Sequence, residues 1–347
     1  MTTQRPEDRD QFPTEDGADL SVLGRQLRRA GTILGVHLAL VLLLLSSPLW
    51  VPLLAAVGLF QRNSFPLLRC FLYLTWLMAC ESAGLIGALG IALRGRNHRE
   101  TWLARNYALQ SFWVGALYWG ARRLLGIRLD VQGGEVLARG PVILLIRHAS
   151  VVDALLPDLV AARAYGLRLR YVLKRELRID PCLDIVGDRL PNAFVLRGAP
   201  DGGPEIARVR ALADNLGALD GVILFPEGTR FTDSRRDRIL AGLQSRGESI
   251  RHQAALGLKK VLPPRLGGVL ALMDAAPEVD VAFCAHTGTE ALTRLGDLAS
   301  GAALGARLRV GCWRVPASEI PREEQARKAW LDGEWAKVDR WVEAHGA

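Results

Sequence analysis

Pro141-Val142-Ile143-Leu144-Leu145-Ile146 runs directly into Arg147-His148-Ala149-Ser150-Val151-Val152-Asp153. The first six residues are apolar, too few for a helix and rich in the residue types of strands, and they read as a short buried strand. From Ala154 to Tyr165 the pattern becomes helical. A His and an Asp where a central strand gives way to a helix occupy the position at which α/β folds place active sites. An imidazole takes a proton from an alcohol, and a neighbouring carboxylate fixes its tautomer and stabilises the imidazolium. On a regular helix, residues five apart diverge by about 140°. The pair therefore requires an irregular turn.

A second segment has the same shape. Gly221-Val222-Ile223-Leu224-Phe225 reads as a strand and is followed by Pro226-Glu227-Gly228-Thr229-Arg230. Gly228 permits a tight turn close to a ligand, and Arg230 holds a phosphate through two parallel donors. Glu227 is placed to orient Arg230 or to bond a substrate hydroxyl. Tyr171-Val172-Leu173 is a third strand candidate, ending at Lys174.

Upstream, the chain is of another character. Arg29 and Arg62 enclose 32 residues without a charge, apart from His37. Arg69 and Arg94 enclose 24 more, with Glu81 the only charge. A bilayer core takes about 20 apolar residues of helix, so each stretch is long enough to cross. Pro48 and Pro52 predict a kink or an unwound turn inside the first. Arg25, Arg28 and Arg29 precede the pair and Arg94, Arg96, Arg99 and Arg105 lie beyond it, while the connection holds only Arg62 and Arg69. The positive-inside rule then places both ends of a helical hairpin, and the domain after it, on the cytoplasmic side of the membrane. Glu81 reads as a carboxyl group hydrogen-bonded to a partner helix.

Over 347 residues the chain carries a net charge of +8, is 50% hydrophobic and only 23% charged, which excludes disorder and a coiled coil. Residues 1–29 read as a flexible polar tail, 30–99 as the membrane hairpin and 100–347 as one α/β domain. From Thr101 to Ile127 a helical stretch carries Trp102, Tyr107, Phe112, Trp113, Tyr118 and Trp119 and ends near Arg122 and Arg123. That mixture beside a span reads as a helix lying in the headgroup layer. The five cysteines show no CxxC spacing, so neither a zinc site nor a disulfide framework is implied. No metal, nucleic-acid or dinucleotide-binding motif is present, nor the elbow motif that a lipid hydrolase would need.

Taken together, His148 with Asp153, and FPEGTR some 75 residues later, resemble the signature of the glycerophospholipid acyltransferases, the family of 1-acylglycerol-3-phosphate and other lysophospholipid acyltransferases. The lead-in VQGGEVLARGPVILLIRHAS, the block Phe194-Val195-Leu196-Arg197 with Asp201 beyond it, and Val261-Leu262-Pro263-Pro264-Arg265-Leu266-Gly267 extend the similarity. With the Trp-rich end (Trp330, Leu331, Trp335, Lys337, Asp339), they resemble the lysocardiolipin-type branch.

The resemblance implies an acyltransferase domain with a central, mostly parallel sheet flanked by helices. It implies His148 as general base and Asp153 as its orienting partner. Arg230, Lys174 and Arg197 would bind the acceptor's phosphate, with Glu227, Gly228 and Thr229 completing that site. The donor would be acyl-CoA or acyl carrier protein, a co-substrate rather than a cofactor, and the acceptor a lysophospholipid in the bilayer, most simply 1-acylglycerol-3-phosphate. Glycerol-3-phosphate, another lysophospholipid headgroup, or lipid binding without turnover are the alternatives. One position departs from the family, which has Asn where this chain has Arg147, and the extra cation is expected either to add a phosphate ligand or to disfavour the protonated form of His148 by repulsion.

Overall fold

The computed structural model describes residues 22–96, 98–196, 203–292, 296 and 300–346. Three helices come first: α1 (Val22–Gln61), α2 (Pro66–Leu93) and α3 (Arg99–Gly120), the last running on through a wide turn to Leu125. By length and composition α1 and α2 are each able to cross a membrane. Leu34, Leu38, Leu42, Leu45 and Leu49 of α1 are exposed. No unwound turn interrupts α1 at Pro48 or Pro52. Pro48 has no N–H for the carbonyl one turn back, and the Ser47 hydroxyl donates to that carbonyl, Leu44, at 2.7 Å instead.

The two spans differ in their surroundings. The second half of α2 is covered by α3 and by α4 (Pro181–Arg189), burying Cys80, Glu81, Leu85, Ala88 and Ile91. Glu81 Oε1 accepts from Trp113 Nε1 at 3.1 Å, so its partner helix is α3. Arg189 Nη1 donates to the Ala88 carbonyl at 2.8 Å. At the start of α1, Arg29 Nε meets Asp184 Oδ2 at 2.7 Å and Arg28 Nη2 meets it at 3.1 Å. The fully buried Asp184 thus ties the basic end of α1 to α4. α3 is partly a core helix, with Trp102, Val114 and Leu117 buried, while Phe112 and Trp119 are exposed.

The remaining helices are α5 (Gly203–Ala211), α6 (Asp233–Ser245), α7 (Ser249–Leu256), α8 (Leu266–Ala275) and α9 (Glu324–His345). The strands are β1 (Arg128–Gln132), β2 (Val142–Ile146), β3 (Arg168–Lys174), β4 (Ala193–Val195), β5 (Asp220–Leu224), β6 (Asp280–Thr287) and β7 (Arg307–Val315). They form one sheet in the order β1-β7-β6-β2-β5-β3-β4. From β6 to β4 all neighbours are parallel; β7 opposes β6, and β1 lies parallel to β7. The sheet is therefore mostly parallel, as expected, with a reversed pair at one edge.

β2 is central and buried along its whole length. A strand covered on both faces has no solvent side to fill with polar residues, which is why it reads as an unbroken apolar run. Val142, Leu144 and Ile146 enter one core with Leu125, Leu156, Val160 and Leu169. Ile143 and Leu145 enter the other with Val222, Phe283, Leu331 and Trp335. At about 1.5–3 kcal/mol per buried side chain, this strand holds the turn at its carboxyl end in a fixed place.

Candidate active site

Register brings the two sequence segments together. Leu145 of β2 pairs with Leu224 of β5 on one side and with Phe283 of β6 on the other. Arg147-His148 and Pro226-Glu227 therefore leave the sheet side by side, at the carboxyl ends of parallel strands. Lys174, at the end of β3, pairs with Val195.

Ser150 caps a short 3-10 turn over Val151–Leu155, with Asp153 at its third position. This is the irregular turn that the spacing of the pair demands. Asp153 Oδ2 accepts the amides of Ala149 and Ser150, each at 2.6 Å, and lies 3.3 Å from His148 Nδ1. A proton on Nδ1 directed at this carboxylate leaves the Nε2 lone pair as the base. Burial works to raise the Asp153 carboxyl, but His286, the bond to His148 and the Ser150 amide outweigh it and hold it below its ordinary value. The His148 ring packs against Phe225, centroid to centroid 4.9 Å.

Glu227 is not a ligand-facing group. It is fully buried, and Oε1 accepts the His148 backbone N–H at 2.7 Å while Oε2 accepts that of Leu262 at 2.8 Å. Burial pushes its carboxyl up to about 8, against the pull of those amides. Leu262 is in turn fixed by α9: Trp335 Nε1 donates to the Leu262 carbonyl at 2.9 Å, and Asp339 Oδ1 accepts the amides of Lys259, Lys260 and Val261. The Trp-rich end of the chain thus braces the segment that, through Glu227, braces His148.

Arg147 also differs from its reading as a phosphate ligand. Its side chain is buried. Nη1 donates to the His286 carbonyl at 2.6 Å and pairs with Glu290, and Nη2 donates to the Lys260 carbonyl at 3.2 Å. The cation that replaces the family's Asn is consumed in joining β2 to the turn after β6 and to the 258–262 segment.

A cavity of about 380 Å³ opens at this edge, lined by Leu173, Lys174, Val195, Leu196, Phe225, Gly228 and Arg265 among others, with Ile206 and Val209 of α5 and Gly267 and Gly268 of α8. Phe225 is common to the cavity wall and to the imidazole. Gly228 has φ +67°, and a Cβ there would meet Arg265 Nε at 2.7 Å, so the glycine serves both the turn and the close passage of that guanidinium. The cavity combines an apolar floor with two cations, Lys174 and Arg265, and one carboxylate, Glu205, a mixed lining suited to an amphiphile with a polar head. Thr229 and Arg230 come directly after Gly228, half-buried and outside the lining of this cavity. Arg197 lies outside the described residues. Of the expected residues the structure brings together His148, Asp153, Glu227, Gly228 and Lys174. Arg265 belongs beside them, and its only sequence signal is its place in the run from Val261 to Gly267.

Residues 128–281 match the model of the acyltransferase family. A curated relative is 1-acyl-sn-glycerol-3-phosphate acyltransferase epsilon of Mus musculus, 26% identical over 226 residues, which are 62% of this chain and 60% of the relative. The chain thus spans about three-fifths of that relative's length. In fold it is similar to the crystal structure of the 1-acyl-sn-glycerophosphate (LPA) acyltransferase PlsC from Thermotoga maritima, with a TM-score of 0.50 and 17% identity, covering 81% of this chain and 97% of the other.

Proposed function

We propose that this chain is a membrane-bound O-acyltransferase. It transfers a fatty acyl group from acyl-CoA or acyl carrier protein to the free hydroxyl of a lysophospholipid, most simply 1-acylglycerol-3-phosphate. The observation that carries the reading is the His148 Nδ1–Asp153 Oδ2 approach of 3.3 Å at the carboxyl edge of the sheet, inside the segment that matches the acyltransferase family. His148 Nε2 takes the proton of the acceptor hydroxyl as the oxygen attacks the thioester carbonyl carbon. The tetrahedral intermediate collapses with cleavage of the carbon–sulfur bond, and the imidazolium returns the proton to the departing thiolate. Lys174 and Arg265, with Arg230 and Arg197, supply the cations for the acceptor's phosphate.

The membrane reading rests on α1 and α2 and on the arginines at their flanks. Asp184 holds the basic end of α1 against α4, which keeps that end on the side of the catalytic domain, the cytoplasmic one by the distribution of arginines.

The test is acceptor-dependent release of free thiol from acyl-CoA and from acyl carrier protein by the detergent-purified chain. The panel of acceptors is 1-acylglycerol-3-phosphate, other lysophospholipids and glycerol-3-phosphate. Turnover fastest with 1-acylglycerol-3-phosphate supports the reading. Preference for glycerol-3-phosphate or another headgroup would replace the substrate, and binding of lysolipid without thiol release from either donor would overturn the enzyme.

A further inference from the structure

Asp153 has two oxygens, and the catalytic pair uses one. Oδ2 serves His148 and two backbone amides, whereas Oδ1 is buried and accepts no hydrogen bond within the described structure. An ionised carboxylate oxygen in that state is costly. A second imidazole faces it. His286, on β6, is fully buried, and its Nε2 lies 3.7 Å from Asp153 Oδ1.

The tautomer of His286 is set by its contacts. Nε2 lies 2.8 Å from the Arg147 carbonyl oxygen, which only accepts, so Nε2 carries a proton. Burial, joined by the Arg147 cation, lowers the ring below its ordinary value and keeps it neutral. Nδ1 is then a lone pair, and Thr289 Oγ1, at 3.3 Å, donates to it. The Nε2–H is donated to the Arg147 carbonyl, and Asp153 Oδ1 lies 3.7 Å from the same nitrogen, beyond hydrogen-bond length. The charged and titratable groups acting on the ring are Asp153 after β2, Arg147 at the end of β2 and Glu290 after β6. Arg309 of β7 is turned to the His345 carbonyl of α9, at 3.1 Å.

We propose that His286 is a positioning residue for the His148–Asp153 pair: its Nε2–H dipole, fixed by Thr289 and by the Arg147 carbonyl, faces Asp153 Oδ1 across 3.7 Å and stabilises the charge of the carboxylate that partners His148. The inference rests on the reading of His148 as the base. It also accounts for the arginine at 147, whose guanidinium grips the His286 carbonyl and Glu290 and so sets the strand end on which the second imidazole sits.

The test compares His286→Leu, His286→Gln and Thr289→Val in the full chain. Leu removes the donor; Gln restores an N–H of similar reach; Val removes the hydroxyl that selects the tautomer while keeping its shape. His286→Leu should lower kcat about 10–100-fold, the scale of a misplaced catalytic group, with acceptor KM unchanged. It should also move the acid limb of the kcat profile to higher pH, because a carboxylate that has lost that dipole holds the His148 proton more strongly. Gln should restore both, and Val should fall between. Loss of activity in Leu and Gln alike, with an unshifted limb, would reduce His286 to a packing residue, and wild-type kinetics in Leu would remove it altogether. If the wild type shows no turnover, the proposed reaction has failed. Titration of His148 by NMR on histidine-labelled wild type and His286→Leu then reads the same coupling without catalysis, and coincident curves overturn the inference.

Discussion

The backbone N–H of His148 donates to Glu227 Oε1 at 2.7 Å, joining the turn that carries the base to the turn after the neighbouring strand. Glu227 Oε2 holds Leu262, so one buried carboxylate spans three segments. In Glu227→Gln one of these amides faces an N–H instead of an oxygen, which costs about 1–3 kcal/mol. The variant should melt lower and lose kcat, with acceptor KM little changed. A raised KM with an unchanged Tm would return Glu227 to the substrate.

The same residue sets a pH dependence. Glu227 is held up at about 8 by burial, against an ordinary 4.5. An acid raised in the folded chain contributes stability that is present at low pH. That contribution is lost as pH rises from about 4.5, where the unfolded chain ionises, through about 8, where the folded one does. Wild-type Tm should therefore decline across that window more steeply than the Tm of Glu227→Gln. Parallel curves would show that Glu227 carries no such linkage.

Arg147→Asn restores the family's usual residue and is expected to harm this chain. It strips the His286 and Lys260 carbonyls of their donors and Glu290 of its cation. The Tm should fall, while acceptor KM stays within about two-fold because no substrate contact is lost. A ten-fold rise in KM at constant Tm would restore the phosphate-ligand role.

Lys174→Ala and Arg265→Ala should each raise KM for a phosphate-bearing acceptor about ten-fold, equivalent to about 1.4 kcal/mol. An acceptor lacking the phosphate should be unaffected by either change. Equal effects on both acceptors would mean that the cations serve the fold or the donor.

Asp184→Asn leaves Arg28, Arg29 and Arg178 around a buried neutral amide. Breaking a buried ion pair from one side costs about 3–5 kcal/mol, and the part-exposed arginines bring this toward the lower figure. Proteolysis near residue 29 should accelerate in the variant; an unchanged cleavage rate would mean that α1 is held by its apolar packing alone.

How far the sequence is legible depends on what each residue does. The unbroken apolar run of β2 and the His–Asp spacing declare themselves, because a doubly covered strand and an irregular turn leave local patterns. The reversed edge made by β7 and β1 depends on long-range pairing and leaves none. Glu227 and Arg147 mislead for a common reason: a buried charge satisfied by backbone groups reads as a free functional charge when its partners are 79 and 139 positions away. The helix continues through Pro48 without a local signal, because the compensating hydroxyl of Ser47 looks ordinary in an apolar stretch. Arg265 belongs to the run from Val261 to Gly267 and His286 ends an apolar strand, yet only the folded sheet brings one beside Gly228 and the other beside Asp153.

The central claim is that His148, held by Asp153, removes the proton from an acceptor hydroxyl during acyl transfer. Acceptor-dependent release of free CoA by wild type and His148→Ala, at saturating acyl-CoA and 1-acylglycerol-3-phosphate, tests it most directly. The expected result is a loss of about 10²–10⁴-fold in kcat, with both proteins equally folded by their melting curves. Equal rates in the two proteins would contradict it.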